Sequence, residues 1–219
     1  ASYGTAFKAP TFNELYFPGY GNPDLGPETS RSVEVGVRGE HGRGPGRAIT
    51  WSLNAFDTKI DDMIAFDSTL GDSGGPNNID RARIQGVEAV VGAQLAGWDL
   101  HTSLTWLDPR NDGDNANHDK VLPRRARQSG RVDADRRFGD FSIGASVTGA
   151  GERYDNLANT TRMGGYGLVG LRAGYAFTDA WSVQASADNV SDKRYETAAL
   201  YNQPGRTWLL TLRYQPVVH

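Results

Sequence analysis

Between residues 30 and 214 the chain repeats one unit about nine times: an alternating apolar and polar run of roughly ten residues, closed alternately by a tight turn and a long polar loop. The clearest copies read GLVGLRAGYAF (167–177), AWSVQASADNV (180–190) and TWLLTLRY (207–214). In the first, Val169, Leu171, Ala173, Tyr175 and Phe177 share one face, and Gly170, Arg172 and Gly174 share the other. Trp181, Val183, Ala185 and Ala187 oppose Ser182, Gln184, Ser186 and Asp188 in the second; in the third, Trp208, Leu210, Leu212 and Tyr214 oppose Thr207, Thr211 and Arg213, with Leu209 the exception. Strand side chains alternate with period two, so each segment has an oily side and a wet side. Ten-residue segments of this kind, separated by turns, are the pattern of a transmembrane β-barrel.

Composition agrees with that pattern. Only 38% of residues are hydrophobic and the mean hydropathy is −0.54, so no stretch approaches the roughly 18 apolar residues of a membrane helix. A barrel needs no such stretch, because half of each strand faces a polar lumen. With no cysteine there is neither a disulfide nor a thiolate metal site, and a net charge of −3 gives no argument for nucleic acid.

The alternation predicts about ten strands, near 1–6, 30–40, 47–57, 80–96, 98–108, 124–136, 140–150, 166–177, 180–190 and 206–214. Short connections (41–46, Gly97, 137–139, 178–179) alternate with long ones (7–29, 67–79, 109–122, 151–165, 192–204). That asymmetry matches short periplasmic turns and long extracellular loops. A soluble sandwich or lipocalin-like barrel also alternates, yet nothing in its physics demands such loops. Trp51, Val91, Leu104, Val183 and Leu210 are expected to point outward, and Glu88, Arg127, Arg172 and Gln184 inward. Strand 124–136 places Arg125, Arg127, Arg131, Asp133 and Asp135 on one side, a row too costly for lipid that must meet water or other polar groups.

YGTAFKAPTFNELYFPGYGNPDLGPETSRSVEVGV (3–37) closely resembles the barrel of TonB-dependent outer-membrane receptors, as do ARIQGVEA (82–89), LPRRARQS (122–129), NVSDKRYE (189–196) and QPGRTW (203–208), in the same order. The RRAR, RYE and PGR texts look most like the cobalamin-transporter branch, and siderophore receptors share many of the same words. The resemblance implies an all-β, antiparallel up-and-down barrel of about 22 strands filled by an N-terminal plug domain, of which this chain would supply about the last ten strands. The plug, and the segment that contacts TonB, would lie outside it. The text starts mid-pattern at Ala1 with no signal peptide, so the chain reads as part of a longer one.

Function follows as an expectation: import of a scarce, large nutrient across the bacterial outer membrane with TonB-supplied energy, through binding and gating rather than catalysis. A corrinoid is the favoured ligand and an iron–siderophore complex the alternative; a passive porin and a soluble carbohydrate-active protein are the readings from other classes. Outer-membrane lipid, lipopolysaccharide and the barrel-assembly machinery are the further expected partners, with no cofactor. That machinery reads a terminal aromatic residue, a place that Tyr214 takes by strand phase, with Gln215–His219 as an overhang behind Pro216.

By the same resemblance, Arg124 and Tyr201 match positions that approach the bound corrin. Arginine donates to amides and phosphate, and tyrosine offers a flat face with a polar tip. The plainer alternatives are a lumen charge network for Arg124 and the aromatic girdle for Tyr201. Phe12, Tyr16, Phe17 and Tyr20 could trap substrate or fold onto the rim. GDSGGP (71–76) spells a serine-protease nucleophile, but only His41 precedes Ser73, inside a turn, so a Gly-rich loop is expected. Asp108, Asp112, Asp114 and Asp119 miss the calcium-loop spacing, since Ala116 stands where a ligand is needed, and are expected to be solvated.

Overall fold

A computed structural model describes residues 1–42, 48–67, 70 and 74–216. Its barrel strands are β1 (Ser2–Lys8), β2 (Glu28–His41), β3 (Ile49–Asp67), β4 (Gly75–Leu95), β5 (Trp98–Asn111), β6 (Gln128–Phe138) and β7 (Phe141–Ala150). After the short loop strands β8 (Arg153–Tyr154) and β9 (Arg162–Met163) follow β10 (Tyr166–Ala176) and β11 (Trp181–Asp188); after β12 (Glu196–Ala198) and β13 (Tyr201–Asn202) comes β14 (Thr207–Tyr214). One five-residue helix, α1 (Phe12–Tyr16), sits in the first loop. Strands β1 to β7, β10, β11 and β14 form a ten-stranded sheet in chain order. Every pairing in it is antiparallel, an up-and-down meander with edges at β1 and β14.

Register carries the alternation across the sheet. Gly39, Trp51, Val91, Thr102, Val132, Val147 and Val169 pair in turn from β2 to β10, one row on one face. Leu104 shares that face through the row Leu53–Ala89–Leu104, as do Val183 opposite Tyr175 and Leu210 opposite Ala185. Trp51, Val91, Leu104, Val132, Val147, Val169 and Leu210 are exposed, from 36% at Leu104 to 73% at Leu210, and Val183 is half-buried, so an apolar surface stands where a soluble sheet would bury it. Near one end of this face the aromatic rings meet: Phe141 with Tyr175 at 4.5 Å and Trp181 with Tyr214 at 4.7 Å. That places them as an interfacial girdle.

The opposite face is polar. Glu88 pairs across the ladder with Asn54 and Thr105, and Gln184 with Gly174. Arg172 donates from Nε to Asp135 at 2.6 Å and also meets Asp133, which Arg131 holds at 2.6 Å. Asp135, Gly144 and Arg172 are in register on β6, β7 and β10, so the ion pair passes over the intervening strand at a glycine. A Cβ on Gly144 would collide with both side chains. Of the charged row expected on this strand, Arg131, Asp133 and Asp135 therefore face away from the apolar surface, with their own counter-ions, whereas Arg125 and Arg127 precede β6.

Turn chemistry fixes the short ends. Ala96 (φ 51°) and Gly97 (φ 81°) both have positive φ, the two-residue geometry whose twist suits a hairpin, and Gly139 (φ 58°) serves β6–β7.

Three expectations need correction. The long loop at 67–79 shrinks, because β3 runs to Asp67 and β4 starts at Gly75. Asp62 (φ 55°) interrupts the ladder for one pair without shifting it, since Asp61↔Arg81 and Met63↔Ile79 keep a single register, and the hairpin continues through residues that read as turn formers. The strand expected to begin at 124 begins at Gln128: Pro123 has no amide to donate and Arg124 has φ 59°, outside strand geometry. Arg127 leaves the inward set, since it precedes the ladder and its guanidinium lies 3.2 Å from Asp108, on the side of Trp106 and Leu104. Ser73 of the GDSGGP text lies outside the described residues.

Two adjacent valines test the face assignment. Val91→Arg, on the apolar face, is expected to destabilise the complete receptor in lipid by about 2–4 kcal/mol. Val90→Arg, pointing to the lumen, is expected to cost far less. Unfolding of both variants in bilayers checks this, and equal losses would contradict it.

Candidate functional site

The core of this molecule lies at the end of the sheet where the long loops gather. Met63, Ile79 and Ala82 from the extended β3–β4 hairpin pack with Leu122 and Leu157 from two loops, Leu122 fully buried. Ile60 and Ile84 join them, so the mouth has an apolar floor onto which loops can fold.

Loop 9–27 is stitched to that floor. Thr11 caps α1 reciprocally with Glu14: the Glu14 N–H donates to the Thr11 hydroxyl at 3.2 Å, and the Thr11 N–H to Glu14 at 2.7 Å. Burial raises the Glu14 carboxyl, but the Thr11 donors and Lys8 outweigh it and hold it below the usual range. Asn22 donates to the Pro76 carbonyl at 3.1 Å, and Asn78 exchanges hydrogen bonds with both backbone groups of Gly26. Tyr20 is thereby laid against Phe66 in a stacked pair, centroids 6.4 Å apart. Phe17 meets Tyr20 edge-on, while Phe12 and Tyr16 contact each other and stay exposed.

Arg124 stands over the other half of this cluster. Its guanidinium lies 5.4 Å from the Phe66 centroid and donates in a fork to Asp155, at 2.8 and 3.3 Å. Asp155 also accepts the Ala199 N–H at 3.0 Å, and the Arg124 N–H donates to the Tyr154 carbonyl. One carboxylate thus ties three loops: 112–127, 151–165 and 189–206. Burial raises Asp155, yet the hydrogen bonds from Arg124 and Ala199 prevail and lower it; Arg124 is raised, first by its bond to Asp155. Arg125, next along, is largely enclosed, and burial lowers it.

Tyr201 sits in the hairpin of β12 and β13, beside Leu200 (φ 68°) at the loop tip. Its ring is 70% exposed. It is close enough to add to the charge environment of Arg124, as is Tyr20. The mouth therefore brings Arg124, Tyr201 and Tyr20 into one neighbourhood, with Phe66 beneath. Sequence reasoning singled out the first three but missed Phe66 and Asp155. Asp155 carries no local motif, and its partner lies 31 residues away. In the acidic loop, Asp108 and Asp119 lie near Arg110. Flat aromatic faces, one tethered cation and a wide polar rim suit a large ligand held by stacking and hydrogen bonds.

An apolar outer face, a polar inner wall and long loops at one end define a sector of a transmembrane β-barrel of the receptor type. Residues 1–190 match the family model described as TonB dependent receptor-like, beta-barrel. The chain belongs to the TonB-dependent receptor β-barrel family, whose members are outer-membrane transport receptors rather than enzymes. Among its relatives are the vitamin B12 transporters BtuB of Photobacterium profundum, 34% identical, and of Vibrio vulnificus, 37% identical. Each match covers 98% of this chain and 35% and 34% of the relatives, so the chain spans about a third of their length. Among solved structures, the copper transporter OprC superposes with a TM-score of 0.76 at 21% identity, over 97% of this chain and 36% of that one. The siderophore receptor PiuA of Acinetobacter baumannii gives 0.75 at 17%, over 97% and 33%. At these identities the structures speak to fold alone.

The three-loop tie has a pH signature. A carboxyl held below its ordinary 3.8 contributes stability that is fully present above that value and is lost as pH falls through the depressed one. Loops 112–127, 151–165 and 189–206 of the complete receptor are expected to lose amide-exchange protection together on acidification below 3.8. Asp155→Asn should loosen them at neutral pH by about 1–2 kcal/mol. Protection unchanged in that variant would contradict the assignment.

Proposed function

We propose that this chain is the C-terminal part of the barrel of a receptor that binds cobalamin, or a closely related corrinoid, and imports it across the outer membrane with energy supplied through TonB. The observation that carries this reading is the 34–37% identity to two vitamin B12 transporters over 98% of the chain. Physical support comes from the sheet edges. In a bilayer every backbone N–H and C=O needs a partner, so β1 and β14 require neighbouring strands from the rest of a closed barrel. That barrel would hold a plug domain in its lumen, and the plug side would supply the contact with TonB. Tyr214, at the end of β14, would be the residue read by the barrel-assembly machinery.

At the mouth we assign two roles. Tyr201 supplies an exposed flat face with a hydroxyl at its tip, suited to the rim of a large planar ligand. Arg124 holds the last two long loops in place through Asp155 and keeps part of its fork for the ligand's amides or phosphate. No step alters the substrate; the work is binding and gating.

The test compares cyanocobalamin with ferric siderophores in outer-membrane vesicles carrying the complete receptor. Cyanocobalamin is expected to bind, and Arg124→Ala and Tyr201→Ala are each expected to weaken it by about 1–2 kcal/mol. Tight ferric-siderophore binding without corrinoid binding would overturn the substrate while leaving the importer. Unchanged affinity in both variants would return the two residues to a purely structural role.

A further inference from the structure

On the outward face, the apolar band ends towards the long loops at the row Val35–Ala55–Val87–Trp106. Two residues further, about 7 Å along the strands at the usual rise, the outward row is Val33, Asp57, Gln85 and Asp108, polar on β3 to β5 and still apolar on β2. Two residues beyond that, Arg31, Lys59, Arg83 and Arg110 are direct register partners on β2, β3, β4 and β5. Four cations side by side on neighbouring strands span about 14 Å. Like charges directly opposite one another destabilise a sheet, so the fold alone gives no reason for this row.

Carboxylates answer it only in part. Arg31 pairs with Asp61 at 3.0 Å, Arg83 with Asp57 at 3.0 Å, and Arg110 with Asp108 at 2.8 Å. Arg127 shares that same Asp108. Lys59, inside the row, and Arg81, exposed beside it opposite Asp61, have no ion pair among the described residues. Asp119 lies 3.8 Å from Arg110 as well, so among the described residues the patch holds six cations against four carboxylates.

We propose that this row binds the phosphorylated sugar headgroup of the outer-leaflet glycolipid, lipopolysaccharide. Height decides the class of ligand: the cations stand above the last apolar row, at the level of headgroups rather than acyl chains or bulk water. Charge decides the chemistry, because arginine forks and a lysine ammonium match phosphate oxygens. Acyl chains of the same molecule would lie on the apolar rows below, so one ligand meets both surfaces. The proposal goes beyond the transport reading and rests only on the outer-membrane setting.

The test uses the complete receptor, purified in detergent and stripped of glycolipid, with lipopolysaccharide bearing its headgroup phosphates as the probe. Lys59→Gln with Arg81→Gln leaves no carboxylate orphaned, and is expected to weaken binding roughly tenfold or more. A lumen control, Arg38→Gln with Arg213→Gln, makes the same change in net charge and is expected to bind as the unmodified receptor does. Dephosphorylated lipopolysaccharide should bind as weakly as the row variant. Without glycolipid, the row variant should melt at the same or a higher temperature, which separates a lost site from a damaged fold. Equal affinity of variant and unmodified receptor, or of phosphorylated and dephosphorylated glycolipid, would overturn the proposal. Displacement by inorganic phosphate alone at comparable concentration would overturn the glycolipid as its source.

Discussion

Everything in this molecule follows from the pairing of backbone amides and carbonyls in a solvent that offers no substitute partners. In hydrocarbon a strand must give every polar backbone group to a neighbour, and the neighbours here are simply the next strands in the chain. A sheet so constrained has two surfaces of opposite character, and register decides which residues go where. The row from Gly39 through Trp51 and Val91 to Val169 shows how far one register runs without a slip. A shift by a single residue would turn Glu88 and Arg172 towards lipid, and that cost locks the pairing.

The same constraint decides where charge can live. Within the band, Arg131, Asp133, Asp135 and Arg172 are confined to the inner wall and neutralise one another. Above it, where strands β3 and β4 outrun the apolar surface, Asp57, Lys59 and Arg83 appear on the outer face as well. The hairpin's extension serves a second purpose, since its buried residues Met63, Ile79 and Ala82 form the floor beneath the loops. Membrane anchoring and ligand-mouth construction are thus two faces of one long hairpin.

Strand-level architecture was legible in the sequence because period-two alternation is local: Val183 against Gln184, or Leu104 against Thr105, needs no partner to be read. Legibility failed where geometry depends on distant residues. The hairpin to Asp67 and Gly75 was hidden behind glycine, proline and asparagine, because the pairing of the two strands carries through them in one register, past the positive φ of Asp62. Arg127 lies one residue before the ladder, where alternation no longer applies, and its direction is set by Asp108. At the mouth, Arg124 and Tyr201 were found by resemblance, whereas Asp155 and Phe66 were not: a carboxylate that organises three loops looks from its own neighbourhood like any loop aspartate. The in-register cation row was equally invisible, since Arg31, Lys59, Arg83 and Arg110 become neighbours only once register is known.

The central claim is a two-faced sheet spanning a bilayer, and β5 offers the most direct measurement. This chain has no cysteine, so, with any cysteine elsewhere in the complete receptor replaced, single spin-labelled cysteines can be placed in turn at residues 99–106 in lipid and scanned for collision with oxygen and with a water-soluble nickel chelate. Oxygen access should peak at Leu100, Thr102, Leu104 and Trp106, and nickel access should dominate at His101, Ser103 and Thr105, with a period of two residues. A scan without that alternation, or with the two sets exchanged, would contradict the account.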